Sequence, residues 1–170
     1  SFGAKVVIPG TGVIMNNEMD DFAAAPGVPN AFGLLGAEAN SVAPGKRPLS
    51  SMSPTIVMKN NKPILAVGAA GGPTIITQTL LTLIHTLDYG LPVKDALGQP
   101  HFHHQWKPDS IRIERKAGEA VLKDLRERGH QLKVYGSMGA TQAVGFFDGQ
   151  FQAAHDPRLK GKAVVLRSSK

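Results

Sequence analysis

Cysteine is absent from the 170 residues, which excludes disulfides, thiolate catalysis and Cys-ligated zinc and fits either redox compartment. No apolar run approaches the roughly twenty residues of a membrane span, and no signal peptide opens the chain. The phosphate-binding patterns are missing too: no glycine cluster runs into Gly-Lys-Ser/Thr, and none has the Gly-x-Gly-x-x-Gly spacing with an acidic residue some twenty positions on. Without a Gly-x-Ser-x-Gly elbow, no serine reads as a hydrolase nucleophile. Aromatic residues make up only 6% of the chain, and none interleaves with the densest run of basic residues for base stacking. The formal charge of +6 therefore does not indicate nucleic acid. Its densest cluster, Arg158, Lys160, Lys162, Arg167 and Lys170, reads as part of a solvated basic terminus, with residues 159–170 as a tail.

What is present suits a single globular domain over residues 1–170: 42% of the residues are apolar, enough for a core at this length. Lys5 to Val7 looks strand-like. A Gly/Pro-rich stretch over residues 9–54 follows with little periodicity, and so long a connection in a compact domain reads as a lid or binding loop. Thr55 to Lys59 and Pro63 to Gly68, joined at Asn60-Asn61, predict a hairpin. The 3.6-residue pattern then predicts a helix over Ile75 to Leu87 with Ile76, Leu80, Leu83, Ile84 and Leu87 on its apolar face. Val93 to Leu97 predicts a second, short helix.

The later part alternates again. Ile111 to Glu114 reads as a strand, Glu119 to Arg128 as a helix closed by Gly129, and Gln131 to Tyr135 as a strand. Thr141 to Phe147 and Gln150 to Ala154, joined at Asp148-Gly149, predict a second hairpin. The fold class is α+β, with helices layered on a sheet.

The segment that carries most chemistry is Gly68-Ala69-Ala70-Gly71-Gly72-Pro73-Thr74, where a strand-like run gives way to a helix. Such a junction leaves the N–H groups of Gly71 and Gly72 without helical partners, and aimed donors suit a carboxylate or the oxyanion of acyl transfer. Upstream lie Met15-Asn16-Asn17-Glu18-Met19-Asp20-Asp21-Phe22 and Lys46-Arg47-Pro48-Leu49-Ser50-Ser51-Met52-Ser53-Pro54. Glu18 and Asp21, three apart, share one side of a helical turn and could grip an ammonium, or simply cap or decorate a surface. His101, His103 and His104 lack a companion carboxylate or cysteine at ligand spacing, so local packing or hydrogen bonding is favoured over metal.

Taken together and in this order, those segments, with His103-His104-Gln105-Trp106 and Asp156-Pro157-Arg158, closely resemble the small subunit of gamma-glutamyltranspeptidase, the family that cleaves and transfers the gamma-glutamyl group of glutathione. The resemblance runs as far as Arg158. It implies the later portion of an α/β/β/α N-terminal-nucleophile sandwich and a substrate site in which Glu18 and Asp21 hold the alpha-amino group. By the same resemblance Ser50 and Ser51 donate to the alpha-carboxylate, and Gly71 and Gly72 form the oxyanion hole. Phe32 falls in the lid, where bacterial members carry Tyr; the apolar wall is kept and the hydroxyl lost. His101 stands where Arg is usual, and His155 replaces a small polar residue.

In that family a threonine released by autocleavage of a precursor is the nucleophile, with its own alpha-amine as base. The opening Ser1-Phe2-Gly3-Ala4 aligns downstream of that threonine, so Ser1 is not the nucleophile by alignment. The resemblance further implies a large subunit from the same precursor as partner. The donor would be glutathione or another gamma-glutamyl compound, and an amino acid, a peptide or water the acceptor. No cofactor, metal or nucleic acid is expected, and the location would be periplasmic or extracellular. The chain alone would be inactive. Two alternatives stand beside this reading: an acylase for glutaryl or cephalosporin-type side chains, for which the anion at Asp21 would have no use, and a fragment that only binds ligand or partner.

Overall fold

The computed structural model describes residues 3–166; Ser1 and the end of the basic tail, including Arg167 and Lys170, lie outside them. The chain divides into two compact units, Ser1–Ser50 and Ser51–Lys170.

The first unit has almost no regular secondary structure and is organised by asparagine side chains acting as surrogate backbone. The Asn30 amide donates to the Asp20 carbonyl at 3.0 Å while its oxygen accepts from the N–H groups of Phe32 and Leu34, each at 3.0 Å. Asn40 donates to the Asp21 carbonyl at 2.8 Å, and its oxygen accepts from Leu49 N–H at 2.9 Å. Between these braces sit the buried Phe22 and Ala23. The expected strand at residues 5–7 is not formed: a single bridge joins Val7 to Ile14. Lys5 has φ 59°, which takes the chain out of extended geometry before a strand can begin.

The second unit is α+β. Strands β1 (Thr55–Lys59), β2 (Lys62–Ala70), β6 (Ala140–Phe147) and β7 (Gln150–His155) form an antiparallel sheet in the order β1-β2-β6-β7. Each outer pair is a hairpin whose turn residues take the positive φ of a tight turn: Asn60 and Asn61 at 51° and 57°, Asp148 and Gly149 at 51° and 76°. A smaller sheet holds β3 (Phe102–His103), β4 (Ile111–Glu114) and β5 (Leu132–Tyr135), with β4 and β5 parallel. Helix α3 (Glu119–Glu127) crosses between the last two strands and stops at Gly129, φ 89°.

Alternation fixes which side of the main sheet is the core. Leu65 and Val67 of β2, Ala143 of β6 and Ala154 of β7 point one way and pack with Val93 and Leu97 of α2 (Val93–Leu97). The opposite face carries Ile56, Ala66, Val144 and Ala153 in one cross-strand row. Beside it, Phe146 and Phe151 meet with centroids 4.9 Å apart and their rings tilted by 58°. Ile56, Val144, Phe146 and Phe151 are exposed.

Helix α1 runs Thr74–Leu83 and continues through a π-turn at Ile84–Asp88, in which Tyr89 N–H reaches back to the Ile84 carbonyl at 3.1 Å. Its predicted apolar face is a correction. Ile76 and Leu80 are 53% and 52% exposed, and the buried side is Thr74, Ile75, Gln78, Thr79, Leu81 and Thr82. Ile75 and Leu81 are buried together with threonines that fit closely against strands rich in Ala and Gly, and of the predicted face Leu83 packs against the core.

Candidate active site

The turn between β2 and α1 has the geometry of a donor cradle. Gly71 lies at φ 145° and Gly72 at φ 58°, a succession open to glycine and strained for other residues. The next residue, Pro73, has no N–H. Thr74 closes the turn with its N–H (3.3 Å) and its hydroxyl (2.8 Å) on the Gly71 carbonyl, and Ile75 N–H bonds the Gly72 carbonyl at 3.0 Å. Among the described residues, neither the Gly71 nor the Gly72 N–H has an acceptor. Two adjacent, unpaired backbone donors at the start of a ten-residue helix form an anion-accepting corner.

In the first unit Glu18 and Asp21 come together on one 3-10 turn, Glu18–Asp21. Their carboxyl groups share a hydrogen bond, and the Asp21 pKa is raised, first by burial, then by that bond and by the charges of Glu18 and Asp20. Crowding against Glu18 and Asp20 thus disfavours the charged form of Asp21, and a cation at this turn would relieve it. Asn30 and Asn40 hold the carbonyls of Asp20 and Asp21, so the turn that aims the acids is fixed from behind. Phe32 is half-buried, with its N–H tied to Asn30. Ser50 is exposed; Ser51 is half-buried and its carbonyl accepts the Ser53 hydroxyl at 3.0 Å.

The three histidines turn to different partners. His101, buried, has Nδ1 2.8 Å from the Met138 carbonyl; since a carbonyl only accepts, Nδ1 carries the proton. His103 meets the Thr77 hydroxyl at 3.0 Å and Gln105 at 3.1 Å, and His104 meets Asp109 at 3.0 Å. Burial lowers the pKa of both His101 and His103, which keeps them neutral near pH 7.

Arg158 corrects the reading of the basic cluster as solvated. Its side chain is only 8% exposed, paired to Glu114 and to Asp156, and it also donates to the carbonyls of Leu97 (2.9 Å) and Gln99 (2.6 Å). Asp156 in turn accepts from Thr141 N–H at 2.8 Å, and Glu114 accepts from the N–H groups of His101 (3.0 Å) and Met138 (2.7 Å). The sequence reading missed Glu114, Thr141 and Gln78. Gln78, 1% exposed, donates to the Ala70 carbonyl at 3.2 Å and the Thr74 hydroxyl at 2.8 Å, and accepts from the Thr141 hydroxyl at 3.2 Å. Its one signal in the sequence is an amide set four residues past Thr74, on the same side of the helix.

The chain is similar to known proteins over nearly its whole length. The family model described as Gamma-glutamyltranspeptidase matches residues 1–166. The glutathione hydrolase proenzyme of Escherichia coli is 47% identical over 159 residues, covering 93% of this chain and 27% of that protein. The chain thus spans about a quarter of the length of that curated relative. The gamma-glutamyltranspeptidase of Helicobacter pylori, solved as a mutant, superposes with a TM-score of 0.87 at 43% identity, covering 94% of this chain and 88% of that one. An acivicin-inhibited gamma-glutamyltranspeptidase, whose C-terminus is described as critical for autoprocessing and catalysis, superposes at 0.86 with 45% identity, over 93% and 87% of the two chains.

Proposed function

Because the chain belongs to the gamma-glutamyltranspeptidase family, with that family's N-terminal-nucleophile α+β fold, we propose that it forms the small-subunit part of an enzyme that transfers or hydrolyses the gamma-glutamyl group of glutathione and gamma-glutamyl amides. The observation that carries the reading is the Gly71-Gly72 turn with both N–H groups unengaged. In the proposed reaction a threonine hydroxyl of the family's type gives its proton to a base as it attacks the gamma-carbonyl carbon. A C–O bond forms, the carbonyl π pair moves onto oxygen, and the two N–H groups bind that oxyanion. Collapse expels the amine, which takes a proton from the base. Water or an acceptor amine then attacks the acyl-enzyme in the same way.

Glu18 and Asp21 select the donor. Two carboxyls on one short turn suit the alpha-ammonium, and Ser50 and Ser51 donate to the alpha-carboxylate without adding charge. A glutaryl acylase would gain nothing from the acidic pair. The partner is a large subunit, and the apolar sheet face of Ile56, Val144, Phe146 and Phe151, exposed here, supports a protein partner for this unit. We place the enzyme in the periplasm or outside the cell.

The test uses the complete two-subunit enzyme containing this chain, assayed on a gamma-glutamyl anilide and on the corresponding glutaryl anilide. Turnover of the first with little of the second is expected. Preference for the glutaryl compound would move the protein to the acylases, and no turnover of either would leave a binding function.

A further inference from the structure

We propose that Gln78 is a positioning residue that aims both oxyanion donors by holding the carbonyl on the far side of each donor's peptide plane. This rests on the reading of Gly71-Gly72 as the oxyanion hole and adds a residue to it. In a trans peptide the C=O and the following N–H lie antiparallel in one plane, so whatever fixes the oxygen fixes the direction of the N–H. The Gly71 N–H shares its plane with the Ala70 carbonyl, and that oxygen receives one N–H of the Gln78 amide at 3.2 Å. The Gly72 N–H shares its plane with the Gly71 carbonyl. That oxygen receives the Thr74 hydroxyl at 2.8 Å, and the same hydroxyl accepts the second Gln78 N–H at 2.8 Å.

The direction of every hydrogen in this chain is determined. A hydroxyl has one proton, and Thr74 uses it on the Gly71 carbonyl, so toward Gln78 it accepts. Gln78 therefore presents its NH2 to Ala70 and Thr74, which leaves its oxygen for the Thr141 hydroxyl at 3.2 Å. The orientation of the amide follows from its partners and not from a choice between oxygen and nitrogen. Thr141 is itself held, by its N–H on Asp156 at 2.8 Å.

The amide is also held sterically. A Cβ on Gly139, at φ 60°, would collide with the Gln78 amide, and one on Gly71 would come within 2.9 Å of its nitrogen. Two glycines in left-handed backbone thus leave a slot one amide thick, and Gln78 fills it while 1% exposed. A buried amide with its hydrogens committed is rigid, and a hydrogen bond to each carbonyl polarises the opposite N–H toward a developing oxyanion. Full commitment to the two peptide planes distinguishes this from ordinary helix packing, where a Leu would serve.

The test replaces Gln78 by Met, which keeps length and volume but has no N–H to give, and separately Thr74 by Val, which removes the hydroxyl relay to the Gly71 carbonyl and leaves one Gln78 N–H without its acceptor. Both are made in the complete enzyme, with active sites counted by a covalent gamma-glutamyl-type inhibitor. Gln78→Met is expected to lower kcat per active site by about 10- to 100-fold and Thr74→Val by about 3- to 10-fold, KM moving less than about threefold in each. The double variant is expected to lose less than the product of the two, since both act on one device. Unchanged kcat per active site, or equal changes in kcat and KM, overturns the proposal. Crystal structures of the two variants decide it independently of activity. Rotation of the 70–71 or 71–72 peptide plane supports the brace, and both planes unmoved in both variants refutes it. If the unaltered enzyme cleaves no gamma-glutamyl anilide, the functional reading fails while the peptide planes still judge the brace; should Gln78→Met not fold, Thr74→Val carries both measurements.

Discussion

Arg158 and Glu114 meet as a two-pronged ion pair, Nε to Oε1 and Nη2 to Oε2 each at 2.6 Å, with side chains only 8% and 2% exposed. The pair ties the segment after β7 to the end of β4, and thereby the main sheet to the smaller one. Planar guanidinium and planar carboxylate match in two parallel bonds, a geometry that lysine cannot reproduce.

Removing one member leaves the other charge buried. Glu114→Gln in the complete enzyme is expected to cost about 2–4 kcal/mol, below the full penalty for a broken buried pair because Asp156 still neutralises Arg158. Arg158→Met strands two carboxylates and is expected to cost more, about 3–5 kcal/mol. Denaturant unfolding measures both, and a loss below about 1 kcal/mol for Arg158→Met contradicts this account.

Much of this was legible beforehand, and the misses share one cause. Both hairpins declare themselves because Asn60-Asn61 and Asp148-Gly149 satisfy turn chemistry that acts within a few residues. Gly71 and Gly72 stand out for the same reason, as does the Glu18–Asp21 spacing. The face of α1 was not legible, because which side is buried depends on the strands it meets, and Thr79 and Thr82 are buried where Ile76 and Leu80 are not. Glu114 and Gln78 escaped notice, and Arg158 read as solvated, because their partners lie far along the chain, Glu114 from Arg158 by 44 residues and Gln78 from Thr141 by 63. Local pattern carries no sign of such pairs.

His101 adds an acid sensitivity with a definite sign. Burial, with the Arg158 charge in support, lowers its pKa from 6.5 despite the Met138 hydrogen bond. The unfolded chain therefore binds the proton first as pH falls, and stability drops from about pH 6.5 down to the folded-state value. His103 acts in the same direction. Replacing His101 by Asn, whose amide can still reach the Met138 carbonyl, should flatten the slope of unfolding free energy between pH 7 and 5; an unchanged slope removes His101 as its source.

Glu114 governs a lower window. Burial alone would raise its pKa, but the Arg158 hydrogen bonds and the N–H groups of His101 and Met138 outweigh it and hold the pKa below 4.5. Its contribution is present above that value and is lost as pH falls through the folded-state pKa. Glu114→Gln should thus be least distinguishable from the parent enzyme at the acid end. Urea titrations from pH 7 to 3 measure this, and a difference that grows toward acid contradicts it.

The acidic turn makes a substrate-dependent prediction. Asp21→Ala in the complete enzyme should cost about 2–5 kcal/mol in kcat/KM on a gamma-glutamyl anilide, because the desolvated ammonium loses a charged partner. A glutaryl anilide, which has no amine, should be affected far less. Equal losses on both compounds would show that Asp21 serves the fold and not the ammonium.

The two glycines of the donor turn should respond differently to alanine. A Cβ at Gly71 would lie 2.6 Å from the Thr74 hydroxyl, 2.9 Å from the Gln78 amide and 3.2 Å from the Gly139 Cα, so Gly71→Ala disturbs the turn and its support together. Gly72, at φ 58°, is in left-handed backbone that alanine enters at a cost of about 1–2 kcal/mol. Gly72→Ala is therefore expected to fold, with kcat reduced at least tenfold and KM changed little, since the N–H it misaims serves the tetrahedral oxygen more than the bound amide. Gly71→Ala should lose activity and melt earlier. Pro73 offers no N–H one residue on, so no neighbouring donor can substitute. Steady-state kinetics with thermal unfolding on both variants separates the cases. If Gly72→Ala retains full kcat, or if it simply fails to fold, the turn is a packing device at the start of a helix and not the place where negative charge develops.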